Sequence, residues 1–65
     1  MYFIFYRTNN VFLAEERLRN NYISCEIVPT PVQDKAYCGI CLEVHEAFEK
    51  EVEPIIVDIE YRALK

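Results

Sequence analysis

Residues 2–18, with the sequence YFIFYRTNNVFLAEERL, contain the pattern that decides the fold class. Their first part, residues 2–7, is dense in aromatic and β-branched side chains, which favour a pleated and largely buried strand. Their second part carries apolar side chains at the 3.6-residue period of a helix, at Val11, Ala14 and Leu18. A strand that passes directly into an amphipathic helix is the first half of a βαβ unit, so the stretch predicts a domain that combines strands with helices.

The ends of this helix can be predicted from the residues that flank it. We expect Thr8 or Asn9 to cap its start through a side-chain oxygen, and the helix to run from about residue 10 to residue 20. Asn20-Asn21 is expected to end it, because Asn tolerates the left-handed conformation found at many helix C-termini.

The remaining elements are predicted from the two-residue period of a strand and the 3.6-residue period of a helix. We predict strands at residues 22–28, 38–44 and 55–62 and a helix at about residues 46–53, closed by Pro54. The resulting order βαββαβ, with right-handed crossovers, most simply forms a four-stranded antiparallel sheet with both helices on one face. The sequence therefore predicts one ferredoxin-like α+β domain over residues 1–65.

Composition excludes several classes of partner. The net charge is −4, from eleven acidic and seven basic residues, and the basic residues are scattered, so we expect no nucleic acid to bind. No apolar run approaches the roughly 20 residues of a membrane-spanning helix, and the apolar start lacks the basic leader of a signal peptide. We therefore expect no membrane contact, a cytoplasmic location, and three cysteines that remain free thiols in a reducing compartment.

The segment Cys38-Gly39-Ile40-Cys41 is where we expect the chemistry. In the predicted topology, the third strand starts at the end of the sheet where the first helix begins, which places Cys38 near Thr8, Asn9 and Asn10. A helix N-terminus carries unpaired N–H groups and partial positive charge, and such a site favours a thiolate over a thiol.

Two neighbours of this thiol are expected to support the same site. Gly39 leaves room for a sulfur atom or a partner's backbone to approach closely, and Lys35, in the preceding loop, could add positive charge. Tyr37 is the one tyrosine that could lean over the thiol. The simpler interpretation is that Cys38 is a small apolar residue packed at a strand start, since free cysteine is among the most buried residue types.

The Cys-x-x-Cys spacing also suggests a redox pair or a metal site. Residues three apart on a strand point to opposite faces, so a disulfide between Cys38 and Cys41 would need a strand that begins later than predicted. Zinc requires four ligands, and only Cys25 and His45 remain to complete a set. We therefore expect no metal and no cofactor, with Cys25 in the core and His45 at a helix start.

Several of these features together resemble the small family of selenium/sulfur-carrier-like proteins. The features are an aromatic first strand, a helix of the form A-E-x-x-L at residues 14–18, Val28-Pro29-Thr30-Pro31, and Cys38-Gly39 opening the next strand. The resemblance implies that Cys38 takes up sulfur or selenium as a persulfide-type adduct and passes it on. Val32 stands where family members often have an arginine, so any anion-holding role would fall to Lys35. Cys41 lies outside the family pattern, and its role as a resolving thiol rests on its spacing alone.

Two classes of function remain open at this point. In the first, the protein is a carrier that exchanges a chalcogen with a larger donor or acceptor enzyme through Cys38. In the second, it is a non-catalytic interaction module that dimerises through the sheet face without helices, where Tyr2, Ile4 and Tyr6, or alternatively Phe3 and Phe5, must lie. An exposed aromatic patch of that kind marks an association surface, so a homo-oligomer or a docking partner is expected in either case.

Overall fold

The computed structural model describes all residues from 1 to 65. Its elements follow in the order β1 (Tyr2–Phe5), α1 (Thr8–Asn20), β2 (Cys25–Pro29), β3 (Ile40–Val44), a 3-10 turn (Glu46–Phe48), α2 (Glu49–Ile55) and β4 (Tyr61–Leu64). The strands form one sheet in the order β2-β3-β1-β4, and every neighbouring pair is antiparallel. This is the predicted ferredoxin-like α+β arrangement. Neither helix has the length and the apolar content that a bilayer-spanning helix requires.

The core lies between the sheet and the helices. Phe3 stands opposite Leu42 of β3 and Ala63 of β4, and side chains alternate along a strand, so Phe3 and Phe5 share the face on which α1 packs. The core consists of eleven buried residues from β1, α1, β3, α2 and the connections that follow the two helices, with none from β2 or β4: Phe3, Phe5, Val11, Ala14, Leu18, Ile23, Leu42, Val44, Val52, Ile56 and Ile59. The apolar stripe predicted for α1 from the spacing of Val11, Ala14 and Leu18 is confirmed, because all three side chains are buried.

The last third of the chain departs from the predicted boundaries. Helix α2 continues through Pro54 to Ile55, and the final strand begins at Tyr61 rather than at residue 55. Pro54 removes only one hydrogen bond near the end of a short helix, while burial of Val52 and Ile56 stabilises the same turn. Ile59 was expected on a strand. It lies instead in the irregular connection between α2 and β4, and its side chain is buried there.

Both ends of α1 also differ from expectation. The helix begins at Thr8, and its N-cap is Arg7, which makes no side-chain capping bond, so the capping role predicted for Thr8 or Asn9 is wrong. At the other end, the Ile23 N–H donates to the Leu18 carbonyl (2.9 Å) and the Tyr22 N–H to the Arg19 carbonyl (3.1 Å). This is a Schellman ending, and its left-handed residue is Tyr22, with a φ of 61°, instead of an asparagine.

We expect Tyr22→Gly to stabilise the domain by roughly 0.5–1 kcal/mol. The left-handed conformation strains a residue with a Cβ but not glycine, and the Tyr22 side chain is 96% exposed, so little burial is lost. Urea unfolding followed by circular dichroism measures the change. Tyr22→Ala is the matched control, because it removes the ring but keeps the strain; equal stability of the two variants would contradict the prediction.

Candidate functional site

Cys38 lies where β1 passes into α1. Its N–H donates to the Phe5 carbonyl at 3.0 Å, and α1 begins three residues after Phe5. The expected end of the sheet is therefore correct. The predicted strand bounds are not, because Cys38 lies two residues before β3, which starts at Ile40.

The connection from β2 to β3 is closed by Thr30. The Thr30 N–H donates to the Gly39 carbonyl at 3.0 Å, and its hydroxyl donates to the Cys38 carbonyl at 2.9 Å. Within the loop, the Tyr37 N–H donates to the Asp34 carbonyl and the Ala36 N–H to the Asp34 carboxylate. The backbone of Cys38 is thus held on both sides, by β1 and by Thr30, although it belongs to no strand.

The Cys38 thiol is half-buried and packs against the core. Its Sγ donates to the Ile40 carbonyl at 2.9 Å, and no N–H of α1 is among its partners. Thr8 and Asn9 are exposed and Asn10 is half-buried in the first turn of α1. Their support of a Cys38 thiolate stays a prediction.

A cavity of about 470 Å³ lies beside this thiol. Its lining comes from the loop and from the first residues after it, and includes Thr30, Val32, Lys35, Tyr37, Cys38 and Gly39. A Cβ built on Gly39 would meet no atom within 4 Å, so the space next to Cys38 is open. Lys35 is exposed and is the one basic residue in the lining.

Cys41 lies on the other face of the sheet. It stands opposite Ile4 of β1 and is fully buried, and its burial raises the pKa of the thiol. Cys38 packs instead against the helix-side core. The predicted reason for this separation, alternation along one strand, does not apply, because Cys38 lies before the start of β3. All three cysteines are free, and a resolving role for Cys41 stays a prediction.

Tyr37 does not lean over the thiol. Its ring lies against Tyr6, with centroids 5.1 Å apart, and its hydroxyl accepts a hydrogen bond of 3.1 Å from Arg62. Arg62 stands opposite Ile4, so this cluster lies on the helix-free face. Sequence analysis missed it, because nothing in the sequence gives the register that pairs Ile4 with Arg62.

The helix-free face is consequently more covered than expected. Of the two sets of β1 residues that could occupy this face, the set with Tyr2 and Ile4 lies on it. Ile4 is nevertheless fully buried within the single chain, and Tyr2 is half-buried. Tyr6 is 39% exposed beside Tyr37. We predicted a homo-oligomer because we expected an exposed aromatic patch on this face. The burial of Ile4 and Tyr2 does not support that reason, and the homo-oligomer stays a prediction.

The other two candidate residues have structural roles. Cys25 is half-buried against the core, and the pKa of its thiol is raised by burial first and by nearby Glu15 second. His45 precedes the 3-10 turn, and its Nδ1 accepts a hydrogen bond of 3.0 Å from the Ala47 N–H. The placement of His45 confirms the sequence interpretation. Cys25 packs against the core without being one of its eleven buried residues. No three Cys, His, Asp or Glu side chains converge in a way that could hold a metal ion.

Fold and site together define a small α+β domain with Cys38 beside an open cavity, at the end of the sheet where α1 begins. The chain belongs to the family described as Putative Se/S carrier protein-like, whose model matches residues 1–64. The resemblance seen in the sequence is thereby confirmed over nearly the whole chain. No curated protein and no solved structure matches it.

Proposed function

We propose that the protein accepts sulfur or selenium on Cys38 and passes it to a second protein. The observation that carries the proposal is the position of the Cys38 thiol, half-buried beside a cavity of about 470 Å³ with open space next to Gly39. Cys41 is fully buried. Cys25 is half-buried like Cys38, but burial and the nearby Glu15 raise the pKa of its thiol and so disfavour a thiolate there. Cys38 is therefore the cysteine we favour as the acceptor. Membership of the Se/S carrier-like family supports the same reaction class.

The reaction is a transfer of sulfane sulfur between two cysteines. The Cys38 thiolate attacks the outer sulfur of a persulfide on the donor enzyme, forming a new S–S bond, while the donor's own S–S bond breaks. The donor cysteine leaves with the bonding electron pair and takes up a proton, and the proton of Cys38 goes to solvent. The products are a Cys38 persulfide and a donor thiol. No external oxidant or reductant is consumed.

The resting hydrogen bond must break before this step. A thiol can donate to the Ile40 carbonyl, but a thiolate cannot, and it is repelled by the carbonyl oxygen. We expect the sulfur to turn away from Ile40 and toward the cavity when it loses its proton. The partial positive charge at the start of α1, around Thr8, Asn9 and Asn10, and the ammonium group of Lys35 are the groups proposed to stabilise it there.

Intact-mass measurement tests the function. The reduced protein is incubated with a cysteine desulfurase and cysteine, and we expect a gain of one sulfur atom that reductant reverses. Cys38→Ser is expected to abolish the gain, because it removes the nucleophile. Cys25→Ser and Cys41→Ser are the matched controls and should still gain sulfur.

Two results would count against the proposal. If Cys38→Ser gained sulfur as the wild type does, another cysteine would be the acceptor. If no gain occurred and Cys38 also reacted slowly with an alkylating reagent at neutral pH, the non-catalytic interaction module would be the better description of the domain.

A further inference from the structure

Thr30 is the residue that makes the most polar contacts with the backbone around Cys38. Its N–H and its hydroxyl bind two consecutive carbonyls, those of Gly39 (3.0 Å) and Cys38 (2.9 Å). The only other backbone bond of Cys38 runs from its N–H to Phe5. Thr30 itself is half-buried directly after β2, and the bond from its hydroxyl is part-buried.

The rest of the loop offers no substitute for these contacts. Its internal hydrogen bonds link Asp34 only to Ala36 and Tyr37, and Tyr37 is anchored on the helix-free face by Tyr6 and Arg62. The anchored Tyr37 holds the chain on one side of Cys38. On the other side, the hydroxyl of Thr30 is the side-chain group bonded to the Cys38 carbonyl, next to the main-chain bond from Thr30 to Gly39.

We propose that Thr30 is a positioning residue for Cys38: its hydroxyl orients the Cys38 carbonyl so that the sulfur stays at the edge of the cavity. The effect of Thr30 on sulfur transfer rests on the proposed function, in which Cys38 accepts the sulfur. Sulfur transfer requires the attacking sulfur to approach along the axis of the donor's S–S bond, and a misplacement of about 1 Å can reduce such a rate by about 10²-fold. The position of this threonine, eight residues before Cys38, gives the Pro29-Thr30-Pro31 segment a physical role.

Thr30→Val and Thr30→Ser separate the hydroxyl from the shape of the side chain. Valine has nearly the same shape without the hydroxyl, and serine keeps the hydroxyl without the methyl group. We expect Thr30→Val to lower the maximal rate of sulfur loading by about tenfold while the donor concentration at half-maximal rate changes little. Thr30→Ser should restore most of the rate.

Amide hydrogen exchange provides a readout that is independent of sulfur transfer. In Thr30→Val, the peptide that follows Cys38 loses the bond to its carbonyl, so the Cys38 backbone can move away from β1 more often. Exchange of the Cys38 N–H, which donates to Phe5, should then accelerate, while exchange of the Leu42 N–H in the centre of β3 should stay unchanged. Thr30→Ser should show wild-type exchange at both positions. A purely structural residue would accelerate both amides together, and this outcome would overturn the proposal.

The remaining outcomes separate the two proposals from one another. If the wild type loads sulfur and Thr30→Val loads it at the same rate, Thr30 is not a positioning residue, whatever the function. If the wild type takes up no sulfur, the carrier function fails, and exchange of the Cys38 amide still decides whether Thr30 orients the peptide.

Discussion

Phe3→Ala is expected to leave most of the protein unfolded at room temperature. Phe3 is fully buried in the helix-side core, and its ring meets that of Tyr61 edge to face with centroids 5.5 Å apart. Truncating a buried phenylalanine costs about 3–5 kcal/mol. The single core of a domain of this length rarely supplies more than about 3–5 kcal/mol of net stability, so the loss takes most or all of it. Circular dichroism during urea unfolding measures the effect.

The same substitution at the surface supplies the control. Phe12 lies on the outer side of α1 and is 53% exposed. Phe12→Ala should therefore change the free energy of unfolding by no more than about 0.5 kcal/mol, as surface substitutions usually do. Similar losses at both positions would show that the orientation assigned to β1 is wrong.

Ile4→Ala is expected to destabilise the domain by about 2–5 kcal/mol, the usual cost of truncating a buried isoleucine. No helix covers this face of the sheet, yet Ile4 is fully buried between Cys41 of β3 and Arg62 of β4. The cluster of Tyr6, Tyr37 and Arg62 lies on the same face. The prediction therefore tests whether this face has a small core of its own.

Ile27→Ala is the matched control for Ile4→Ala. Ile27 lies on the edge strand β2 and is 40% exposed, so the substitution should cost clearly less. The comparison uses the midpoint of urea unfolding for both variants. If the two variants lost the same small amount of stability, the helix-free face would be an ordinary solvated surface and Ile4 would need a partner chain to be covered.

The elements that sequence analysis predicted well are those in which one face is buried and the other exposed. The stripe Val11, Ala14 and Leu18 identified α1, and the alternation through Leu42 and Val44 identified β3. Element ends were predicted poorly, since they depend on contacts with distant residues. Ile59 alternates as a strand residue would, but it is buried without being paired in the sheet.

The candidate site shows the same division. The position of Cys38 at the end of the sheet where α1 begins followed from the order of the elements, because chain direction decides which strand ends meet. The hydrogen bond from its thiol to Ile40 and the bonds from Thr30 did not follow, because they depend on how a loop of irregular backbone closes. The place of Tyr37 on Tyr6 depends likewise on strand register.

The sequence by itself determined the fold class and the buried faces of α1 and β3, since periodicity and element order are local properties of the chain. It also led to the prediction that Cys38 is the reactive cysteine. Only the tertiary structure decided that Cys41 and Ile4 are buried on the helix-free face and that Thr30 holds the Cys38 peptide. These features arise where residues far apart in sequence meet. Their pairing depends on register and loop closure, which no local pattern encodes.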